Sequence, residues 1–413
     1  MDSAGKSLKP PFTARSSTCS PATTIPSSAP SSRANSSPPP GISAAVSASS
    51  RHACSANPSK SPNPSNPASA ACSPPFCAAD ILGFLLDLTA PAALPWLAGR
   101  LGVDPAALRL TPLGGGVSNH VLLAEAPGLR CVVKQALERL RVAQEWLCTP
   151  TRIHREAAAL RALQPLLPAG AVPQLIFEDF DHHVIAMEAA PAGALPWKDR
   201  LLAGEISSAT AFRTGALHGA WLRHDPGSRW REEFGELAVF DDLRLDPYYR
   251  STAKHHPDLT DRFEALIDMC VSRRISLTHG DLSPKNILVN GVQVILIDFE
   301  VIHFGDPAFD AAFLTNHLFI KAFHMPAHAP ALAAAARAYW TGLLEAAGPG
   351  WKWLPSAAMQ HLGGLLLARI DGKSPVEYLD EPTRNRIRPL ARDLLRNPAP
   401  SAEALFAQYF PCP

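Results

Sequence analysis

The sequence predicts an α+β chain of two lobes, a small antiparallel-sheet N-lobe followed by a larger, mainly helical C-lobe. Three observations carry this. Short apolar and β-branched runs separated by glycine-containing turns fill residues 110–187. Pro191, Gly193 and Pro196 then break the pattern, and from about residue 207 apolar positions recur at helical spacing.

Residues 1–78 are dominated by Ser, Pro and Ala, with six basic residues and a single acidic one, Asp2. They hold few large apolar side chains to offset the entropy of ordering, so the segment is expected to be a disordered extension. Acid-poor, Ser- and Arg-containing leaders are also the style of organellar transit peptides, but the frequent prolines argue against an amphipathic helix. A linker-like extension or an over-long start is the first reading of the segment; a targeting leader is the second. Without it the chain has 32 basic and 36 acidic residues, net −4, a poor balance for a nucleic-acid surface. No run of about 18 uninterrupted apolar residues suggests a membrane span. Of the eight cysteines none forms a CxxC pair, so neither a zinc site nor a disulfide framework is implied, and a reducing, cytoplasmic setting fits.

The N-lobe is expected over residues 79–188. Ile81–Leu88 reads as an apolar helical start, punctuated afterwards by Pro91, Pro95 and Pro105. Gly114, Gly115 and Gly116 sit between two apolar stretches and read as a hairpin or glycine-rich turn. The run from Gly128 is a strand with Lys134 at its end. Residues 150–164 suit a helix, started by Pro150 and ended by Pro165. Strands follow at Val172–Phe177 and Val184–Met187.

The C-lobe is expected over 189–413, with helical patterns at about 207–223, 258–273, 328–347, 355–370 and 383–396. Its only clear strands flank Gly291, at Ile287–Val289 and Val292–Ile297. The Asn290-Gly291 pair between them is a strong hairpin turn signal.

Residues 277–300 carry the chemistry. Asp281 is followed five positions later by Asn286, and Asp298 ends the hairpin. A carboxylate can orient a weakly nucleophilic hydroxyl and take its proton late in a reaction. An amide oxygen and a second carboxylate are hard donors suited to magnesium, and the hairpin would bring them side by side at its open end.

The run HGDLSPKNILV followed by LIDFE closely resembles the aminoglycoside phosphotransferase superfamily, the choline kinase-like small-molecule kinases with a protein-kinase-like fold. The likeness covers about residues 95–400. Protein kinases carry Arg where this chain has Gly280, and Gly where it has Glu300. The resemblance implies that Asp281 is the catalytic base, supported by His279, and that Asn286 and Asp298 hold Mg2+, with Glu300 assisting a second ion. It implies a phosphate-covering turn at Gly114, Gly115, Gly116, Ser118 and Asn119. Lys134, partnered by Glu156 rather than Glu145 or Glu138, would neutralise nucleotide phosphates. Met187 and Ala189 would flank the adenine in the lobe link. Gly305–Asp310 resembles the family's GDP-x-x-D segment, in which Asp310 would hydrogen-bond the catalytic-loop backbone and Asp306 would cap a helix. Lys285 reads as an exposed loop lysine.

The resemblance therefore implies transfer of the γ-phosphate of ATP, or GTP, to a hydroxyl of a small molecule. Acceptors in that family include amino sugars, methylthioribose, choline or ethanolamine, homoserine and ketosamines. Two other readings are a catalytically silent nucleotide-binding regulator and a protein kinase; Gly280, the DFE ending and the absence of an APE-like segment argue against the latter. Asp241, Asp242, Glu232, Glu233 and Asp371 are the carboxylates that would suit a cationic acceptor. One reading of the stretch 366–379 has Arg369 or Asp371 facing the acceptor; a helix end and turn closing the lobe is the plainer one.

Overall fold

The computed structural model describes residues 86–114, 118–141, 146–224 and 227–411, all within one compact unit spanning Cys77–Pro413. The expectations for residues 1–78, for Ile81–Leu85 and for Gly115, Gly116 and Glu145 fall outside the described residues.

The first described helix is α1 (Ala93–Leu101), not Ile81–Leu88, of which residues 86–88 are non-helical. Pro95 lies in its opening turn, where a missing N–H breaks no intrahelical bond, so a residue read as punctuation is a helix starter. Strands β1 (Arg109–Pro112), β2 (Asn119–Ala126), β3 (Leu129–Ala136), β4 (Leu175–Asp179) and β5 (Val184–Glu188) form an antiparallel sheet in the order β1-β2-β3-β5-β4. The strand expected at Val172–Phe177 begins three residues later. Side chains alternate across a strand. Cys131 and Val133 therefore join α1 in one apolar layer, while Lys134, two residues before the end of β3, faces the opposite side, where α2 (Arg152–Leu163) packs.

The larger lobe contains the short strand β6 (Leu195–Pro196) and helices α3 (Trp197–Leu202), α4 (Ser208–Leu222), α5 (Gly227–Glu233) and α6 (Ala238–Phe240). A π-helix (Asp241–Arg250) follows, then α7 (Ser251–His255) and α8 (Thr260–Ser272). Strands β7 (Ser276–Thr278), β8 (Ile287–Asn290), β9 (Gln293–Leu296) and β10 (His303–Gly305) surround the segment that carries Asp281. Helices α9 (Pro307–His324), α10 (Ala329–Ala347), α11 (Leu354–Asp371), α12 (Glu381–Arg396) and α13 (Ala402–Tyr409) complete the lobe. The hairpin at Gly291 forms as expected, but it is not the only pairing: β6 adds to β8, and β7 pairs with β10. Strands of two or three residues are too short for alternation to register in a sequence.

Helix α9 is the axis of this lobe; every residue from Pro307 to Phe323 is buried. A helix buried on all sides shows no single apolar stripe, and this one is packed all round, buried polar residues such as Asp310 and Asn316 included. Its N-cap is Asp306, whose side chain accepts from the N–H of Ala308 at 3.0 Å. Among the described residues no helix is long and apolar enough to cross a membrane.

Candidate active site

The segment that carries Asp281 runs from β7 to β8. The N–H groups of His279 and Gly280 donate to the two carboxylate oxygens of Asp310 at 2.6 and 2.9 Å, as expected of the residue opening α9. Burial pushes the Asp310 carboxyl up to about 7 against the pull of these two donors. Gly280 has φ +75°, and a Cβ there would lie 2.8 Å from both the carbonyl oxygen and Cγ1 of Val301. The Arg of the protein-kinase loop therefore has no room in this chain.

Asp281 is buried, and three donors converge on its Oδ2: Asn286 Nδ2 at 2.8 Å, the Arg244 guanidinium at 2.8 Å and Lys285 Nζ at 3.0 Å. Burial works against its charge, but Arg244 and Lys285 outweigh burial and hold the carboxyl below its ordinary range. Among the described residues nothing bonds its Oδ1. Lys285 is exposed, as expected, and also pairs with Asp281. His279 is buried and lowered in basicity by that burial. Its Nδ1 accepts from the Asp281 N–H at 3.3 Å and its Nε2 faces the Ile297 carbonyl at 3.2 Å. It thus positions the loop; its ring nitrogens both face main-chain groups.

The hairpin sets Asn286 beside Asp298, because the Ile297 N–H donates to the Asn286 carbonyl at 3.0 Å. The Asn286 amide N–H groups are committed to Asp281, so the amide oxygen is the atom left for a cation. Asp298 has φ +69°, a conformation uncommon for a residue with a side chain. Its Oδ1 accepts from Lys134 at 2.9 Å, and Oδ2 has no partner among the described residues. Burial opposes its charge, yet Lys134 and Lys285 overcome this and hold the carboxyl well below the usual range. Lys134 is also bonded by both oxygens of Glu156, at 2.8 and 3.0 Å. Burial alone would discharge the Lys134 ammonium, but Asp298 and Glu156 keep it charged.

Among the described residues no three His, Cys, Asp or Glu side chains cluster as a metal site. Magnesium is usually held by one or two carboxylates with waters and phosphate oxygens completing the shell, so Asn286 and Asp298 form a fitting partial donor set.

The residues expected to cover phosphate and to assist a second metal are arranged differently. Glu300 accepts from Ser118 Oγ at 2.7 Å, Asn119 Nδ2 at 2.9 Å and Arg152 Nε at 3.1 Å. Both oxygens of Glu300 are therefore occupied by protein donors, and Ser118 and Asn119 are buried against it. Gly114 is exposed at the end of β1. Met187 is buried core, and the Ala189 N–H reaches the Arg130 carbonyl at 3.4 Å.

Two arginines were not anticipated. Arg152, fully buried, also donates to the carbonyls of Cys148, Thr149, Leu137 and Ser118, tying the turn before β2 to α2. Its signal was available: it lies four residues before Glu156 on the buried stripe of α2. Arg244 comes from the π-helix and donates through Nε to the Gly280 carbonyl at 2.6 Å; nothing in the sequence around it marks it.

The profile of the phosphotransferase enzyme family, APH, matches residues 109–385, which span both lobes and the whole of this site. The chain belongs to the phosphotransferase enzyme family. Its relatives include methylthioribose kinases 1 and 2 of Oryza sativa subsp. japonica, 27% and 26% identical over 266 residues. Each match covers 57% of this chain and 62% of the relative, so the likeness spans about three fifths of those proteins. Similar solved structures include the streptomycin–ATP–APH(2'')-IIa ternary complex (14% identity, TM-score 0.44, 77% of this chain and 99% of that one). Another is a putative aminoglycoside phosphotransferase from Ralstonia eutropha JMP134 (16% identity, TM-score 0.46, 77% and 98%). Within this chain, Asp281, Asn286, Lys134 and Asp298 come together around the lobe junction. Ser118, Asn119 and Glu300 form a second, adjoining cluster organised by Arg152.

Proposed function

We propose that this protein is an ATP- and magnesium-dependent kinase that phosphorylates a hydroxyl of a small molecule. One observation carries the reading. Among the described residues Asp281 Oδ1, Asn286 Oδ1 and Asp298 Oδ2 have no protein partner, and Asp298 is tied to the buried, doubly paired Lys134. The methylthioribose kinases among its relatives put thiosugars among the acceptor classes to test, beside amino sugars and amino alcohols.

In this reading the acceptor oxygen bonds the γ-phosphorus as the bond from that phosphorus to the β–γ bridging oxygen breaks. The nucleoside diphosphate leaves with that electron pair, and the hydroxyl proton passes to Asp281 Oδ1. Arg244 and Lys285 keep Asp281 ionised and fix the orientation of its carboxylate through Oδ2. Lys134 supplies positive charge to the nucleotide phosphates while Glu156 holds it in place. Magnesium, held by Asn286 and Asp298, would neutralise charge on the phosphate oxygens.

The test is coupled ADP release with Mg2+ across a hydroxyl panel, repeated with GTP and with the isosteric Asp281→Asn. Loss of the base is expected to lower turnover by about 10²–10⁴-fold. Unchanged turnover in that variant would sink the assignment. Nucleotide binding by the wild type without turnover on any acceptor would favour the silent regulator.

A further inference from the structure

We infer that the acceptor pocket is built for a hydroxyl compound carrying an anionic group, a carboxylate or a phosphate, and that Lys321 receives that group. This rests on the kinase reading above and names its substrate class.

Lys321 lies on α9 and is 1% exposed. Among the described residues it makes no ion pair. Its Nζ has two long contacts, to the His317 carbonyl at 3.5 Å and the Tyr378 hydroxyl at 3.4 Å, and it sits 5.1 Å from the Tyr378 ring centre. A buried ammonium with only weak neutral partners is unfavourable for folding, which makes it a candidate functional group. Its surroundings worsen the imbalance. Burial, then the charges of Lys198 and Arg369, push its pKa down to about 7. The one carboxylate acting on it, Glu377, is already paired with Lys198.

The position is continuous with the chemistry. Asp310, Phe313, His317 and Lys321 share one face of α9 by their spacing. Asp310 holds the catalytic loop. Phe313 packs on Tyr248 and lies 5.9 Å from the Arg244 guanidinium, which holds Asp281. His317, one turn before Lys321 on α9, feels the charges of both Lys321 and Lys285, and Lys285 is paired with Asp281, so one cationic cluster connects the buried lysine to that carboxylate. Arg369 joins the two ends: it donates to the Tyr248 hydroxyl at 3.3 Å and to Ser374 Oγ at 2.9 Å, and its Nε is buried without a partner.

Two of the carboxylates that would suit a cationic acceptor, Asp371 and Asp241, are engaged elsewhere. Asp371 is bonded by Arg388 twice at 2.8 Å and by His256 at 2.9 Å. Asp241 is bonded by Arg250 twice at 2.7 Å. The charges acting most strongly on His317, beside Lys321, are those of Lys321, Arg369, Lys285 and Lys198, all positive.

The experiment uses the full chain with Mg2+ and AMP-PNP and measures calorimetric binding of four probes: D-gluconate, ribose 5-phosphate, ribose and glucosamine. ADP release from ATP is measured with the same compounds. One or both anions are expected to bind at least about tenfold more tightly than ribose or glucosamine. The winning anion identifies carboxylate or phosphate as the source. Lys321→Met is expected to erase the preference and Lys321→Arg to keep most of it, with thermal melts confirming that both fold. Failure of any anion to out-bind ribose overturns the inference, as does a preference that survives Lys321→Met. Lys321-dependent anion binding with no ADP release on any acceptor would leave this subsite standing and defeat the kinase reading. ADP release indifferent to Lys321 would do the reverse.

Discussion

Gly280→Ala adds one carbon where the chain has least room for it. The residue sits at φ +75°, and a left-handed conformation disfavours an L side chain by about 1–2 kcal/mol. The new Cβ would stand 2.8 Å from Val301 Cγ1, which can rotate, and 2.8 Å from the Val301 carbonyl oxygen, which cannot. Nor can Gly280 move aside, because Asp310 holds its N–H at 2.9 Å and Arg244 holds its carbonyl at 2.6 Å. Overpacking of this kind adds about 1–3 kcal/mol, so the total destabilisation is about 2–5 kcal/mol. Part of it will appear as displacement of Asp281, and a shift near 1 Å can lower turnover by about 10²-fold. Denaturant unfolding measures the first effect and steady-state kinetics the second. Adding Val301→Ala relieves only the Cγ1 contact, so the double variant is expected to recover less than half of the stability. A Gly280→Ala protein that unfolds with the wild type and turns over normally would refute the steric argument.

Other outcomes follow from the same contacts. Asp281 is held ionised below the ordinary carboxylate range, so the wild type should show no acid limb from it as pH falls towards that range; Arg244→Met removes one of the two cations responsible, and a limb should move upward into the kcat/KM profile. Arg244→Lys should largely restore the profile, and superimposable profiles for wild type and Met variant would contradict the assignment. Asp310→Ala strands two buried N–H groups, at about 1–3 kcal/mol each, and is expected to abolish activity; a fully active variant would show that the loop holds itself. Glu300→Gln should destabilise the fold by up to about 3–5 kcal/mol by uncovering the buried Arg152 charge. It should leave the magnesium concentration for half-maximal rate unchanged; the opposite pattern would return Glu300 to metal binding.

Much of the site could be read because its chemistry is local in the chain. Asp281, Asn286 and Asp298 are joined by one loop and one tight hairpin, so their spacing alone placed them together. Lys134 and Glu156 are legible through the resemblance, one near the end of a strand and the other on the helix that follows it. The partners of Glu300 are not legible, because residue type tells what an atom can bind, not which donors reach it first; Ser118, Asn119 and Arg152 come from distant parts of the chain. Arg244 had no local signal, since a π-helix has no distinctive periodicity and its contact is to a loop 36 residues on. Helix α9 escaped the periodic pattern because it is buried on every side, and β7 and β10 because three residues do not show alternation.

Lys134 has one further consequence, for the order in which ligands are accepted. Its ammonium joins Glu156 and Asp298, one cation between two carboxylates, in a bridge across the lobes. Asp298 gives up its Oδ1 contact more readily when Lys134 is offered another anion beside Glu156. A polyphosphate provides that anion; a chloride counterion from solution does so poorly. Metal and nucleotide should therefore strengthen each other's binding, and titration of the metal alone should give the weaker of its two affinities.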